Sequence, residues 1–153
     1  MTRQALNDAL KEAMKARDQQ TVSTLRMVLA KLKDKDIEAR GKGITDGIDE
    51  AAVLAALQGM IKQRRESIEL YRQGNRADLI EQESAEIAVI ERFLPQQMDD
   101  AATRAAIEAA IAETGAAGMK DMGKVVAALK ARYVGQMDFG KASGLVKDAL
   151  NAR

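Results

Sequence analysis

IKQRRESIELYRQGNRADLIEQESAEIAVIERFLP, Ile61 to Pro95, decides the fold class. Before Gly74, Leu54, Leu57, Ile61, Ile68 and Tyr71 recur at steps of three, four and seven residues, with Val53 beside them, the period of one helix face. After it, Ile80, Ile87, Ile90 and Leu94 do the same, until Pro95 disfavours helical geometry at Leu94. Glycine suits the left-handed residue that ends a helix and asparagine suits the N-cap of the next. Gly74-Asn75 therefore reads as the tight break of an antiparallel helical hairpin.

The same period extends outward. Leu6, Leu10 and Met14 mark one helix, and Leu25, Val28, Leu29 and Leu32 mark a second, with Thr21 or Ser23 as its expected N-cap. RGKGITDGIDE, Arg40 to Glu50, reads as a loop whose Asp46 or Asp49 caps the helix that follows. Beyond Pro95, Asp99 or Asp100 opens a helix carrying Ile107 and Ile111 and ended by Gly115. Val125, Val126, Leu129 and Tyr133 mark another, ended near Gly135, and Leu145, Val146 and Leu150 a last one capped by Asp138. Nothing reads as a strand. The expected class is all-α, with an N-terminal helical bundle over residues 1–94 and a small C-terminal helical domain over 95–153, the boundary falling at PQQMDD.

Composition agrees. The strong helix formers dominate, Pro95 is the single proline, and two Phe, two Tyr and no Trp leave the core to aliphatic side chains. There is no cysteine and no histidine, which removes disulfides, thiol nucleophiles, imidazole bases and the usual zinc ligands. No metal and no cofactor is expected. The N-terminus lacks the apolar segment of a secretory leader, and no run approaches the roughly 18 apolar residues of a membrane span. The expectation is a soluble cytoplasmic protein, although a cysteine-free chain would also suit export.

GMKDMGKV, Gly118 to Val125, fits the spacing G-x-x-x-x-G-K of a phosphate-cradling loop. Such a loop follows a buried strand and needs a Ser or Thr after the lysine to ligate magnesium. Here a helix precedes it and Val125 follows, so the stretch reads as a helix stop and a turn.

Net charge is only +1, yet the basic residues gather late in the chain: Lys120, Lys124, Lys130, Arg132, Lys141 and Lys147 face only Asp121 and Asp138 over the same span. Cations beside a helix N-terminus suit phosphate, and with only Tyr133 and Phe139 nearby for stacking, RNA would be held by backbone and shape. The alternative is a set of solvated lysines. In the hairpin, Arg64 and Glu83 both fall on apolar stripes at similar heights, so Arg64 is expected to pair with Glu83 or Glu86.

Taken together, STLRMVLAKLKDKDIEAR (Ser23 to Arg40), IKQRRESIELYRQGNRADL (Ile61 to Leu79), EIAVIERFLPQQM (Glu86 to Met98) and TGAAGMKDMGKVVAAL (Thr114 to Leu129) carry a resemblance. In order and spacing the chain resembles the YqeY-like proteins of the GatB/YqeY family over essentially its whole length. The resemblance implies a C-terminal domain similar to the tail of the aspartyl/glutamyl-tRNA amidotransferase B subunit, which helps to hold tRNA. It also brings an inherited label, carbon-nitrogen ligase with glutamine as amido donor. The residues argue against catalysis by this chain alone, since Ser23, Ser67, Ser84 and Ser143 lie scattered without an adjacent base or an oxyanion turn. The expected function is a non-catalytic module that binds tRNA or another structured RNA through the six late basic residues. The alternative is a protein-interaction module whose N-terminal bundle meets a tRNA synthetase or amidotransferase component, with Met27, Met60, Met98, Met119 and Met122 as adaptable contacts where exposed.

Overall fold

The structure, a computed structural model, describes residues 1–153. It is all-α: α1 (Thr2–Lys15), α2 (Gln19–Arg40), α3 (Glu50–Gln73), α4 (Ala77–Glu91), α5 (Asp100–Thr114), α6 (Met122–Tyr133) and α7 (Phe139–Asn151), with a 3-10 turn over Met119–Asp121. The chain divides into two compact units, Met1–Leu94 and Pro95–Arg153.

In the first unit, Leu6, Leu25, Val28, Leu32, Val53, Leu57 and Ile90 are buried almost completely in one cluster. Each such side chain contributes about 1.5 to 3 kcal/mol relative to exposure. The expected stripe of α1 is corrected at its end: Met14 is 50% exposed and Ala13 is buried in its place. The N-cap of α2 is neither Thr21 nor Ser23 but Asp18, whose carboxylate accepts the Thr21 N–H at 3.2 Å and the Thr21 hydroxyl at 2.7 Å. Thr21 thus lies inside the helix, its hydroxyl already engaged. Arg17 before it takes φ 57°, the reversal that turns α1 into α2.

The loop from residue 41 to 49 is anchored by Asp36 of α2. Its carboxylate accepts both Arg3 guanidinium nitrogens, at 2.9 and 3.0 Å, and the Ile48 N–H at 2.9 Å. These bonds, the Ile48 N–H first, hold the Asp36 pKa below the usual carboxylate value. Gly47 has φ 88°, and a Cβ there would lie 3.1 Å from the Asp36 carboxylate, so glycine alone lets the loop close this tightly. Thr2 bonds Glu50 through its N–H and hydroxyl, joining the start of α1 to that of α3. Asp49 then caps α3, accepting the Ala52 N–H at 2.8 Å.

The α3–α4 break is three residues, Gly74 to Arg76, one more than the expected pair, and uses them differently. Gly74 sits at φ −90°, whereas Asn75 takes the left-handed φ of 54°, a conformation asparagine tolerates. Arg76, with no side-chain cap bond, then precedes α4. α4 ends at Glu91, and Arg92, Phe93 and Leu94 tighten into turns before Pro95, so Leu94 reaches the core from outside the helix.

The second unit buries Ile107, Ile111, Val125, Leu129, Met137, Val146 and Leu150. Asp99 caps α5 by accepting the Ala102 N–H at 2.7 Å, and Gly115 ends it at φ 67°. Asp138 caps α7, accepting the Gly140 and Lys141 N–H groups at 3.0 and 3.2 Å. Ion pairs Asp100–Lys141 and Glu108–Arg153 tie successive levels of α5 and α7, which therefore run in the same direction. The Met98 N–H donates to the Gln136 carbonyl at 2.9 Å, clasping the entry of α5 to the α6–α7 turn.

Candidate functional site

The six late basic residues occupy three elements: Lys120 in the 3-10 turn, Lys124, Lys130 and Arg132 on α6, and Lys141 and Lys147 on α7. α6 buries Val125 and Leu129, and Lys124 and Lys130 flank that stripe about 120° apart around the helix. Lys141 and Lys147 straddle the buried stripe of Ala142, Val146 and Leu150 in the same way. The six therefore lie at the edges of the buried stripes of α6 and α7 and in the turn before them.

Two of the six are engaged by carboxylates. Arg132 meets Glu113 at 2.6 Å and Lys141 meets Asp100 at 2.5 Å. The Glu113 bond raises the Arg132 pKa, and the Lys141 bond lowers that of Asp100. Lys124 lies 3.9 Å from Asp121, a long contact. Lys120, Lys130 and Lys147 are exposed and have no ion-pair partner.

GMKDMGKV forms no phosphate cradle. Gly118 is extended, the 3-10 turn follows, and the Asp121 carboxylate accepts the Ala117 N–H at 3.0 Å. That bond is the main cause of its lowered pKa. A carboxylate already occupies the N–H that a phosphate would need, and its charge repels an anion.

The pairing expected in the hairpin is present. Arg64 donates from Nε to Glu86 at 2.9 Å, with Glu83 at 3.8 Å, and from Nη1 to the Met60 carbonyl at 3.0 Å. Its Nη2 points at the Met27 sulfur, 2.9 Å away. The side chains of Arg64, Glu86 and Glu83 are 11%, 18% and 21% exposed. Burial, then the neighbouring Glu86 charge, raises the Glu83 pKa against the opposing pull of Arg64. The cluster locks α3 to α4 and opens on one side into a groove that also touches Lys31, Gln63 and Ser67. No group of three or more carboxylates converges where it could hold a metal ion.

Sequence reasoning found the Arg64 cluster through hairpin register. It missed the Asp36 junction, whose only signal was an acid at the end of α2 preceding a glycine-rich loop. It also did not foresee that Glu113 and Asp100 neutralise part of the basic set.

Among known proteins, the family model for Yqey-like protein matches residues 3–150. The protein "Altered inheritance of mitochondria protein 41, mitochondrial" of Lachancea thermotolerans is 40% identical over 91 residues, 60% of this chain and 46% of that protein. Proteins of the same name from Kluyveromyces lactis and Saccharomyces cerevisiae (strain YJM789) are 35% and 31% identical, over 58% and 60% of this chain and 46% and 47% of theirs. The chain spans about half the length of these relatives. Their names overturn the cytoplasmic expectation, since they are mitochondrial proteins. Its physical basis was too thin: no helix here is long and apolar enough to cross a membrane, but that property does not distinguish one aqueous compartment from another. With the match running over residues 3–150, the chain belongs to the YqeY-like protein family.

Proposed function

We propose that this chain is a non-catalytic RNA-binding accessory module, with tRNA as the RNA class, acting through the exposed lysines of its C-terminal unit. The observation that carries the reading is the state of Lys120, Lys130 and Lys147: exposed, without carboxylate partners, and distributed around α6, α7 and the turn before them. Lys124, only loosely held by Asp121, joins them. Cations spread in this way neutralise phosphates along a curved backbone and carry little base specificity. The resemblance carried by the sequence, which implies a tail similar to that of the amidotransferase B subunit, supports the same choice of ligand. Support for a non-catalytic role comes from Ser143, whose hydroxyl donates to the Phe139 carbonyl at 2.7 Å and so spends its proton on the backbone.

The test is binding of fluorescent tRNA to the full chain across a salt series. Each phosphate contact contributes about 0.9 to the slope of log K against log salt, so Lys120→Glu, Lys130→Glu and Lys147→Glu together should lower the slope by about 3. Arg132→Gln, which removes a cation already shared with Glu113, should change it less. An unaltered slope in the triple variant overturns the assignment.

A further inference from the structure

In the N-terminal unit α2 packs chiefly on α1 and α4, and α3 chiefly on α4, so that α2 and α3 touch only sparsely. Between them lie two hollows of about 420 and 270 Å³. They share Lys31, Met60 and Gln63 and so form one open groove. Along α3 the groove runs from Ala52 to Ser67, about 22 Å or four helical turns.

Its floor on α3 is Ala52, Ala55, Ala56 and Gly59, and a Cβ at Gly59 would meet nothing within 4 Å. A second helix can therefore approach this backbone at close packing distance. Met27, 37% exposed, forms an adaptable wall. The rim on α2 carries Lys31 and Lys35, one turn apart; neither is in an ion pair, and no carboxylate lines the wider hollow. At the narrow end, the Glu86 and Glu83 carboxylates lie against Arg64. No buried polar side-chain atom lacks a partner.

We propose that the α2–α3 groove is a docking site for an acidic amphipathic helix of a partner protein. The helix lays its apolar face on the Ala52–Gly59 floor and sets its carboxylates against Lys31 and Lys35, a helix-in-groove mode of recognition. The length and small-residue floor select a helix. The two unpaired lysines select its charge.

The experiment uses the full chain and three fluorescein-labelled helical peptides of about 16 residues, matched to the groove length. All three share one Leu/Ala stripe and differ only in flanking residues, Glu, Gln or Lys. Anisotropy should rank them Glu over Gln over Lys, with about tenfold between the extremes. Gly59→Leu should weaken the Glu peptide by at least about tenfold without lowering the circular-dichroism melt, because the position is open and leucine favours the helix more than glycine does. Lys31→Glu with Lys35→Glu should invert the ranking. Absent binding, equal binding of all three peptides, or indifference to Gly59→Leu overturns the proposal. So do a dimer of this chain abolished by Gly59→Leu, which makes a second copy the occupant, and loss of tRNA binding in the Lys31→Glu, Lys35→Glu variant, which makes the rim an RNA contact.

Discussion

Replacing Arg64 by methionine keeps an unbranched apolar stem and removes the charge that Glu83 and Glu86 face. Glu86 loses a 2.9 Å charge-assisted bond, and two like charges remain side by side in the α3–α4 hairpin. Removing one partner of a buried pair costs about 3 to 5 kcal/mol. The carboxylates keep 18% and 21% exposure, so water tempers the loss to about 2 to 4 kcal/mol. Urea unfolding provides the readout. The chain has no Trp and two tyrosines, Tyr71 in the first unit and Tyr133 in the second, so a Tyr133→Phe background leaves Tyr71 to report on the hairpin alone. In that background Arg64→Met should lower stability by the stated amount, and adding Glu83→Gln and Glu86→Gln should restore most of it. A loss below about 1 kcal/mol, or a triple variant no more stable than the single one, refutes the account of a charge left unpaired.

Glu83→Gln alone probes the same cluster by pH. Burial raises the Glu83 pKa in the folded state, so below the unfolded value both states are protonated and the substitution is neutral. Above it the ionised carboxylate weakens the fold. The Tm of Glu83→Gln should therefore gain on that of the parent as pH rises from about 4 to 7, and a variant less stable than the parent at pH 7 would show that the pull of Arg64 outweighs burial. In the second unit, Asp138→Ala should cost about 1 kcal/mol by removing the cap of α7, read through Tyr133 in a Tyr71→Phe background, whereas Asp138→Asn should retain most of it. Equal losses in the two variants would place the effect in charge and not in capping.

The helices were legible because their information is local. Asp138 was readable as a cap from an acid just before an apolar period, Asp49 and Asp99 each as one of two neighbouring acids, and Gly115 as a stop from its position after Ile111. Asp18 escaped because Thr21, a good cap former, stood nearer the apolar run; the structure spends its hydroxyl on Asp18. Asn75 took the left-handed role expected of Gly74 because both residues tolerate that region and sequence alone does not rank them, and the N-cap expected of Asn75 passed to Arg76. Counting lysines showed an excess of charge, but the partners Glu113 and Asp100 lie 19 and 41 residues away, beyond any local pattern. The α2–α3 groove was invisible for a related reason. A groove is packing that does not happen, and the apolar period marks only faces that are buried.

The lengths of the connections also distribute the chain entropy lost when the unit assembles. α3 and α4 are joined by three residues, Gly74 to Arg76, so bringing their stripes together closes a very short loop and sacrifices little chain entropy. The bonds that fasten the unit's other end, Arg3 to Asp36 and Thr2 to Glu50, span 33 and 48 residues. α1 and α2 are likewise joined by three residues, so the larger entropic cost lies in bringing the two hairpins together across the glycine-rich loop between residues 41 and 49.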